Sequence, residues 1–229
     1  MSALPFADLL RIALVLVLAA GQALAAYWPE LTGARETITT RSARWDTRVV
    51  PFGPFFAIWL LLFSACGAFA VWHALPAQAS DPTYRTLGWL AAALFAGNVA
   101  WEVWVPRRGL GWPSVALIVL ELAVALAALA VIAGWGPTGW DLWLGAVPLQ
   151  LFAGWVSVAA FANLSSTLRR AGLADARRAA VAGPLIGAAV LLVAAVGWWT
   201  GSPAYLAAAG WGLAGIAVKA AVGGSGAAG

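Results

Sequence analysis

The sequence predicts an all-α fold, a polytopic membrane helical bundle with seven transmembrane helices. Of the 229 residues, 63% are hydrophobic and only 10% are charged, whereas about a quarter of a soluble domain is charged. Seven apolar runs each approach the roughly 20 residues that a membrane-spanning helix needs. The 15 tryptophans are the third observation: some are expected in interfacial belts, but several fall within the apolar runs.

The composition also excludes several classes of protein. The net charge of +4 comes from arginines in short loops between spans, so nucleic acid is not an expected partner. Cys66 is the one cysteine and falls inside a span, which rules out an internal disulfide. One histidine and one cysteine cannot form a metal-ligand cluster or a nucleophile–base pair, so we expect no obligatory cofactor and no conventional hydrolysis.

The apolar runs define the predicted elements. In chain order, the expected spans are residues 8–28, 51–74, 85–105, 114–134, 142–165, 180–199 and 203–222. The end of the first run, GQALAA, also resembles a signal-peptidase site, but the mixed charge of Asp8 and Arg11 favours a retained helix. Residues 29–50 form the longest predicted loop. Residues 223–229, GGSGAAG, have the composition of a flexible linker.

An aromatic stripe runs along the second predicted span. Phe55, Trp59, Phe63 and Gly67 recur every four residues, so they share one helix face that ends in a small residue. Such a stripe either packs against lipid and other helices or forms the wall of a pocket. His73 lies at the far end of this span, where it is either a haem ligand or a polar residue at the membrane interface.

Polar residues interrupt the third and fourth spans. Asn98 and Trp101 share a face, and the Asn98 amide must find a hydrogen-bond partner because an unpaired amide in hydrocarbon costs several kcal/mol. Glu102 follows near the end of the span, where it can reach the interface. Glu121 stands within the fourth span, so its carboxyl must be neutral or paired. It either has a functional role or bonds a neighbouring helix.

The fifth span carries a further candidate face. Trp155, Ala159 and Asn163 stand at i, i+4 and i+8 and therefore lie on one side of the helix. A small residue beside an indole leaves room for a flat ligand. Small residues also allow membrane helices to approach closely, so ordinary helix packing is the alternative.

The arginines predict the orientation. The loops after spans one, three and five hold four, two and four arginines, whereas those after spans two, four and six hold one, none and none. Lys219 adds a positive charge at the end of the last span. The positive-inside rule therefore predicts a cytoplasmic C-terminus, an external N-terminus, and a cytoplasmic cluster of the 29–50 loop with the turn at Arg107 and Arg108.

Three short patterns occur in order along residues 1–166. They are Trp59, Phe63 and Gly67 in W-x3-Y-x3-G with phenylalanine for tyrosine, Asn98 and Trp101 in N-x2-W, and Trp155 and Asn163 in W-x7-N. On these patterns the segment resembles the tryptophan-rich sensory protein family, the bacterial relatives of the mitochondrial translocator protein. Glu102 and Glu121 depart from the family pattern.

The resemblance implies a domain organisation and a location. Residues 1–166 would form a five-helix translocator-protein-like core, residues 167–222 would add two transmembrane helices, and residues 223–229 would be a flexible tail. The protein would lie in a bacterial cytoplasmic membrane among lipids, with a homodimer as the expected assembly. The pocket would open toward the first loop.

The resemblance also implies a function. The protein would be a membrane sensor that binds flat hydrophobic ligands, above all protoporphyrin IX, haem or related tetrapyrroles. The expected ligand-binding residues are Trp59, Phe63, Gly67, Asn98, Trp101, Trp155, Ala159 and Asn163. Two indoles could sandwich the macrocycle by offset stacking, and its propionates could pair with arginines of the 29–50 loop. Transport of such ligands and light-dependent porphyrin degradation are the alternatives.

Overall fold

A computed structural model describes residues 4–225, with side chains to residue 222, and the regular structure in that range is helical. The α-helices are α1 (Phe6–Leu31), α2 (Ile38–Arg44), α3 (Ile58–His73), α4 (Pro76–Ala79), α5 (Pro82–Arg108), α6 (Trp112–Trp135), α7 (Val147–Arg170), α8 (Ala179–Thr200) and α9 (Pro203–Ser225). A 3-10 turn (Gly53–Ala57) precedes α3, and a π-helical turn (Asp141–Ala146) precedes α7. The predicted all-α membrane bundle is confirmed.

Six helices in the described part of the chain are long and apolar enough to cross a membrane. They are α1, α3, α6, α7, α8 and α9, where α3 and α7 include their preceding turns. The remaining predicted span coincides with α5, which has 27 residues and is the longest helix. Asn98 and Glu102, which are both buried, make α5 more polar than its neighbours.

The first five long helices form a closed ring. α1 packs against α3 and α5, α5 against α6, α6 against α7, and α7 back against α3. α9 packs along the outer side of α7, and α8 covers both. The main hydrophobic core continues from this ring into α8 and α9, since Val193, Tyr205 and Ile216 belong to the same buried cluster as Phe95 and Phe152.

α7 is the most buried of the apolar helices because it has neighbours on several sides. Two glycines, Gly154 of α7 and Gly212 of α9, allow these two helices to pack closely against each other. A Cβ at Gly154 would lie 2.2 Å from the Tyr205 carbonyl oxygen and 3.0 Å from the Ala209 nitrogen. A Cβ at Gly212 would lie 3.1 Å from the Val158 side chain. Small residues therefore bring these helices into close contact, as is usual in membranes.

The predicted boundaries need two corrections. The 29–50 loop is partly helical, because α1 continues to Leu31 and α2 occupies its middle. The Thr37 hydroxyl accepts a hydrogen bond from the Thr40 backbone N–H at 3.2 Å, which caps α2. The predicted tail is also wrong at its start, since α9 continues to Ser225. Residues 226–229 of that tail lie outside the described range.

The arginine-rich connections meet at one end of the bundle, as the sequence predicts. Arg41 of α2 donates to the Pro106 carbonyl near the end of α5 at 3.2 Å. Arg170 at the end of α7 donates to the carbonyl oxygen of Leu110. Arg48 donates to the carbonyl oxygen of Arg177 at 2.6 Å, joining the first loop to the connection between α7 and α8.

A buried charged cluster lies at the opposite end of the bundle. Arg11 of α1 is fully buried and donates to His73 Nε2 at 2.7 Å and to the Tyr84 carbonyl at 2.8 Å. Asp8 accepts a hydrogen bond from Arg11 at 3.1 Å and from Arg85 at 2.8 Å. His73, at the last residue of α3, is therefore a buried member of this cluster. This cluster joins α1, α3 and α5.

Candidate functional site

A large cavity lies at the arginine-rich end of the bundle. It has a volume of about 600 Å³. Its wall is formed by the end of α1, the loop helix α2, the start of α3, the last turns of α5, and the end of α9. We call this space the main cavity. It opens beside the first loop, where the resemblance places a pocket.

Aromatic rings form one wall of the main cavity. Trp59 and Phe63 stand one turn apart on α3 and stack with a centroid distance of 5.3 Å and an interplanar angle of 26°. Tyr27 of α1 contacts Phe63 edge to face, with centroids 6.1 Å apart. Trp101 of α5 also lines the cavity. The aromatic stripe of α3 thus faces an open space over the length of these two rings.

A second space of about 50 Å³ adjoins the main cavity deeper in the bundle, between α3, α5, α6 and α7. We call it the inner cavity. Its wall includes Trp59, Asn98, Trp101, Trp155, Ala159 and Asn163. Six of the eight predicted site residues therefore surround one small space, and Phe63 lines the main cavity beside it.

The two central indoles touch each other. Trp59 and Trp155 have centroids 5.9 Å apart and planes at 80°, an edge-to-face contact. Trp155 is only 1% exposed and also packs edge to face against Phe56, with centroids 5.6 Å apart. A sandwich requires nearly parallel rings on both sides of the ligand. The expected sandwich between these two indoles is therefore not the arrangement present.

Asn163 and Gly67, two of the predicted ligand-binding residues, have surroundings that the sequence did not predict. Asn163 lines the inner cavity, but its side chain is bonded to α6: it accepts from the Ser114 hydroxyl at 3.0 Å and donates to the Ser114 carbonyl at 3.2 Å. It thereby joins α7 to α6. Gly67 lines neither cavity, and a Cβ there would meet nothing within 4 Å.

A buried hydrogen-bonded chain links α1 to α5 next to the cavities. The Asn98 amide donates to Gln22 Oε1 and to Glu102 Oε1, each at 3.0 Å. The predicted need of Asn98 for a partner is thereby confirmed. Glu102 is only 1% exposed, so the expectation that it reaches the interface is wrong. Its second oxygen, Oε2, is buried without a hydrogen-bond partner among the described residues.

Glu121 is the second carboxyl group beside the cavities. It is 2% exposed, lines the inner cavity, and has its Oε1 buried without a hydrogen-bond partner among the described residues. Its side chain lies against Gly97 of α5, where a Cβ would come within 2.9 Å of the Glu121 Cγ. A glycine at this position of α5 therefore makes room for a carboxyl group of α6.

The arginines of the first loop do not line the main cavity. Arg41 and Arg44 both pair with Glu36, at 3.1 and 2.8 Å. The Arg44 hydrogen bond, together with the charge of both guanidinium groups, lowers the pKa of the Glu36 carboxyl. Arg48 is held by the Arg177 carbonyl. The expected pairing of these arginines with ligand propionates would require them to leave these partners.

Lys219 fastens the end of the first loop to α9. Its ammonium group donates to the Asp46 carboxylate, to the Thr47 carbonyl at 2.9 Å and to the Val50 carbonyl at 3.2 Å. Both Lys219 and Asp46 line the main cavity. A helix beyond the predicted five-helix core thus contributes a charged side chain to the site.

Sequence patterns missed part of this wall. Tyr27, Ser42 and Lys219 line the main cavity but were not among the predicted ligand-binding residues. Of these three residues, only Lys219 had a sequence signal, because a charge near the end of an apolar run needs a partner or a path to the interface. Glu102 had the same signal and stands one position after Trp101.

Comparison with known proteins identifies the family. A family model described as TSPO-like protein matches residues 9–224, a range that runs through all the long helices, including α8 and α9. Comparisons with curated proteins and with solved structures give no match. The match covers most of the chain and agrees with the helical membrane bundle. This integral membrane protein therefore belongs to the TSPO-like protein family.

Proposed function

We propose that this protein is a membrane receptor that binds flat hydrophobic ligands, with protoporphyrin IX and related tetrapyrroles as the leading class. The single observation that carries the proposal is the main cavity, whose wall bears the stacked Trp59 and Phe63 rings beside Trp101. Its volume of about 600 Å³ lies inside the range of about 300–1,000 Å³ that is usual for small-molecule pockets.

The contacts suggest how such a ligand is held. A flat macrocycle in the main cavity would rest on the rings of Trp59, Phe63 and Trp101, because aromatic surfaces favour offset stacking. Trp155 would support Trp59 from behind, through their edge-to-face contact, without touching the ligand from the main cavity. The macrocycle would thus be bound on one side of the indole pair rather than between the two indoles.

Replacing Trp59 by alanine is expected to weaken protoporphyrin IX binding about tenfold or more, since it removes both stacking and apolar contact area. Titration of the purified protein, followed by the Soret band and by tryptophan quenching, measures the Kd. Trp198→Ala is the matched control, because Trp198 is 91% exposed on α8 and lines neither cavity. It should bind like the unmodified protein.

Two results of this titration would contradict the proposal. One is binding that does not saturate in any of the three proteins, which indicates partitioning of the pigment into detergent. The other is saturable binding that Trp59→Ala leaves unchanged, which places the ligand outside the main cavity. Trp155→Ala is less suitable as a test, because Trp155 is buried and its loss would also create a cavity in the bundle.

A further inference from the structure

The acidic residues that line the main cavity outnumber the basic ones. The ionisable residues in its wall are Glu30, Asp46, Glu102 and Lys219. Lys219 is already bonded to Asp46 and to two carbonyl groups of the first loop. Two carboxyl groups of this wall, those of Glu30 and Glu102, therefore have no ion-pair partner within the described part of the chain. A charged ligand group that reaches these two carboxyl groups would therefore be bound more favourably if it is a cation than if it is an anion.

Glu102 is the buried member of this pair, and its orientation is set by the protein. Asn98 donates to Oε1 at 3.0 Å, and the same amide is tied to Gln22 of α1, so the carboxyl group is held against α5. Oε2 has no partner among the described residues. A buried acceptor without a partner is costly, and a ligand that donates to it would remove that penalty.

Aromatic rings stand around the same space. Trp59, Phe63, Trp101 and Tyr27 line the main cavity together with Glu102. The face of an aromatic ring attracts a cation, and a carboxylate beside such rings adds a charge-assisted hydrogen bond. The nearby Glu121 carboxyl of the inner cavity adds to the acidic character of this region, and its Oε1 likewise has no hydrogen-bond partner among the residues that the structure describes.

We propose that, among flat hydrophobic ligands, the main cavity prefers those that carry a cationic, N–H-donating group, and that the Glu102 carboxyl receives this group. The proposal rests on the proposed function, because it specifies the ligand class of the same cavity. It follows from three observations: the Glu102 Oε2 that has no partner among the described residues, the aromatic wall, and the engagement of Lys219, Arg41 and Arg44 elsewhere.

The test compares three porphyrins that share one ring and differ in side-chain charge. They are protoporphyrin IX, its neutral dimethyl ester, and a protoporphyrin diamide whose side chains end in primary ammonium groups. The cationic diamide is expected to bind about tenfold more tightly than the ester, because a charge-assisted hydrogen bond to a buried carboxyl is strong. Binding is measured in a zwitterionic detergent by tryptophan quenching.

Glu102→Gln replaces the ionisable carboxyl by a neutral amide and keeps its shape. In this variant the affinity for the diamide should fall to within about twofold of that for the ester, whose own affinity should change little. Asp175→Asn is the control, because Asp175 lies in the connection between α7 and α8, lines neither cavity, and pairs with Arg177. It should retain the full preference for the cation.

The outcomes separate this proposal from the function on which it rests. Saturable binding of all three porphyrins with equal affinity overturns the charge preference and leaves the receptor function intact. A preference for the diamide that persists in Glu102→Gln overturns the assignment to Glu102. If none of the three porphyrins saturates, the proposed function itself fails. The comparison of ligands on the unmodified protein decides the charge preference even if Glu102→Gln does not fold.

Discussion

Replacing Arg11 by leucine is expected to lower the free energy of unfolding by about 3–5 kcal/mol, the usual loss when one partner of a buried ion pair is removed. Arg11 has no exposed surface, and its guanidinium group donates four hydrogen bonds. The acceptors are Asp8, His73 and the carbonyl oxygens of Ala79 and Tyr84. Leucine would leave all of these acceptors without that partner.

The effect is measured by denaturant unfolding in detergent, followed by tryptophan fluorescence. Arg107→Leu is the matched control, because Arg107 is exposed and, within the described range, donates to a carbonyl of its own helix alone, at 3.1 Å. It should change stability by less than about 0.5 kcal/mol. Equal stability of the Arg11 and Arg107 variants would contradict the assignment of the buried cluster as a structural link between α1, α3 and α5.

Gly154→Ala is the second substitution with a large expected effect. It should lower the free energy of unfolding by roughly 1–3 kcal/mol, because the added methyl group overpacks the contact. The added Cβ would lie 2.2 Å from the Tyr205 carbonyl oxygen and 3.0 Å from the Ala209 nitrogen. These atoms belong to the backbone of α9, so they cannot give way as the end of a flexible side chain can. The substitution must therefore push α9 away from α7.

Gly187→Ala serves as the control for helix propensity. Gly187 lies within α8, and a Cβ there would meet nothing within 4 Å, so alanine should be neutral or stabilise the helix by up to about 1 kcal/mol. Both variants are compared by thermal unfolding in the same detergent. A Gly154 variant as stable as the Gly187 variant would mean that α7 and α9 do not depend on this close approach.

The bundle was predictable because hydrophobic length determines which segments cross a membrane. The predicted spans coincide with the seven long helices, apart from shifts of a few residues at their ends. The irregular parts were not predictable in this way. α2 lies in a polar loop, where its capping threonine, Thr37, is a weak signal, and the π-helical turn before α7 has no sequence signal that we can identify.

The sequence allowed us to predict which helix faces form the site, but not which side chains of different helices contact each other. Helical spacing placed Trp59 and Phe63 on one side of α3, and these residues do stack there. Spacing gives no information about the rotation of one helix against another. The edge-to-face contact of Trp59 with Trp155, and the bonding of Asn163 to Ser114, therefore emerge only when the helices are packed.

Polar contacts between residues far apart in the chain could not be predicted from the sequence either. Asp8 and Arg11 appeared as mixed charge at the start of an apolar run, and His73 as a residue at the end of another. The Arg11–His73 contact joins residues 62 positions apart. A Cβ at Gly88 would come 2.2 Å from His73 Nε2, so the absence of a side chain there gives this pair its space. No pattern within a single helix indicates such a need.

Photolabelling tests the central claim, that flat hydrophobic ligands occupy the main cavity, most directly. A diazirine derivative of protoporphyrin is bound to the purified protein, irradiated, and mapped by mass spectrometry, with unlabelled protoporphyrin IX as competitor. We expect competable label on α1 near Tyr27, on α3 at Trp59 and Phe63, and on α5 near Trp101. Label confined to outward residues such as Trp198, or label that the competitor does not reduce, would contradict the claim.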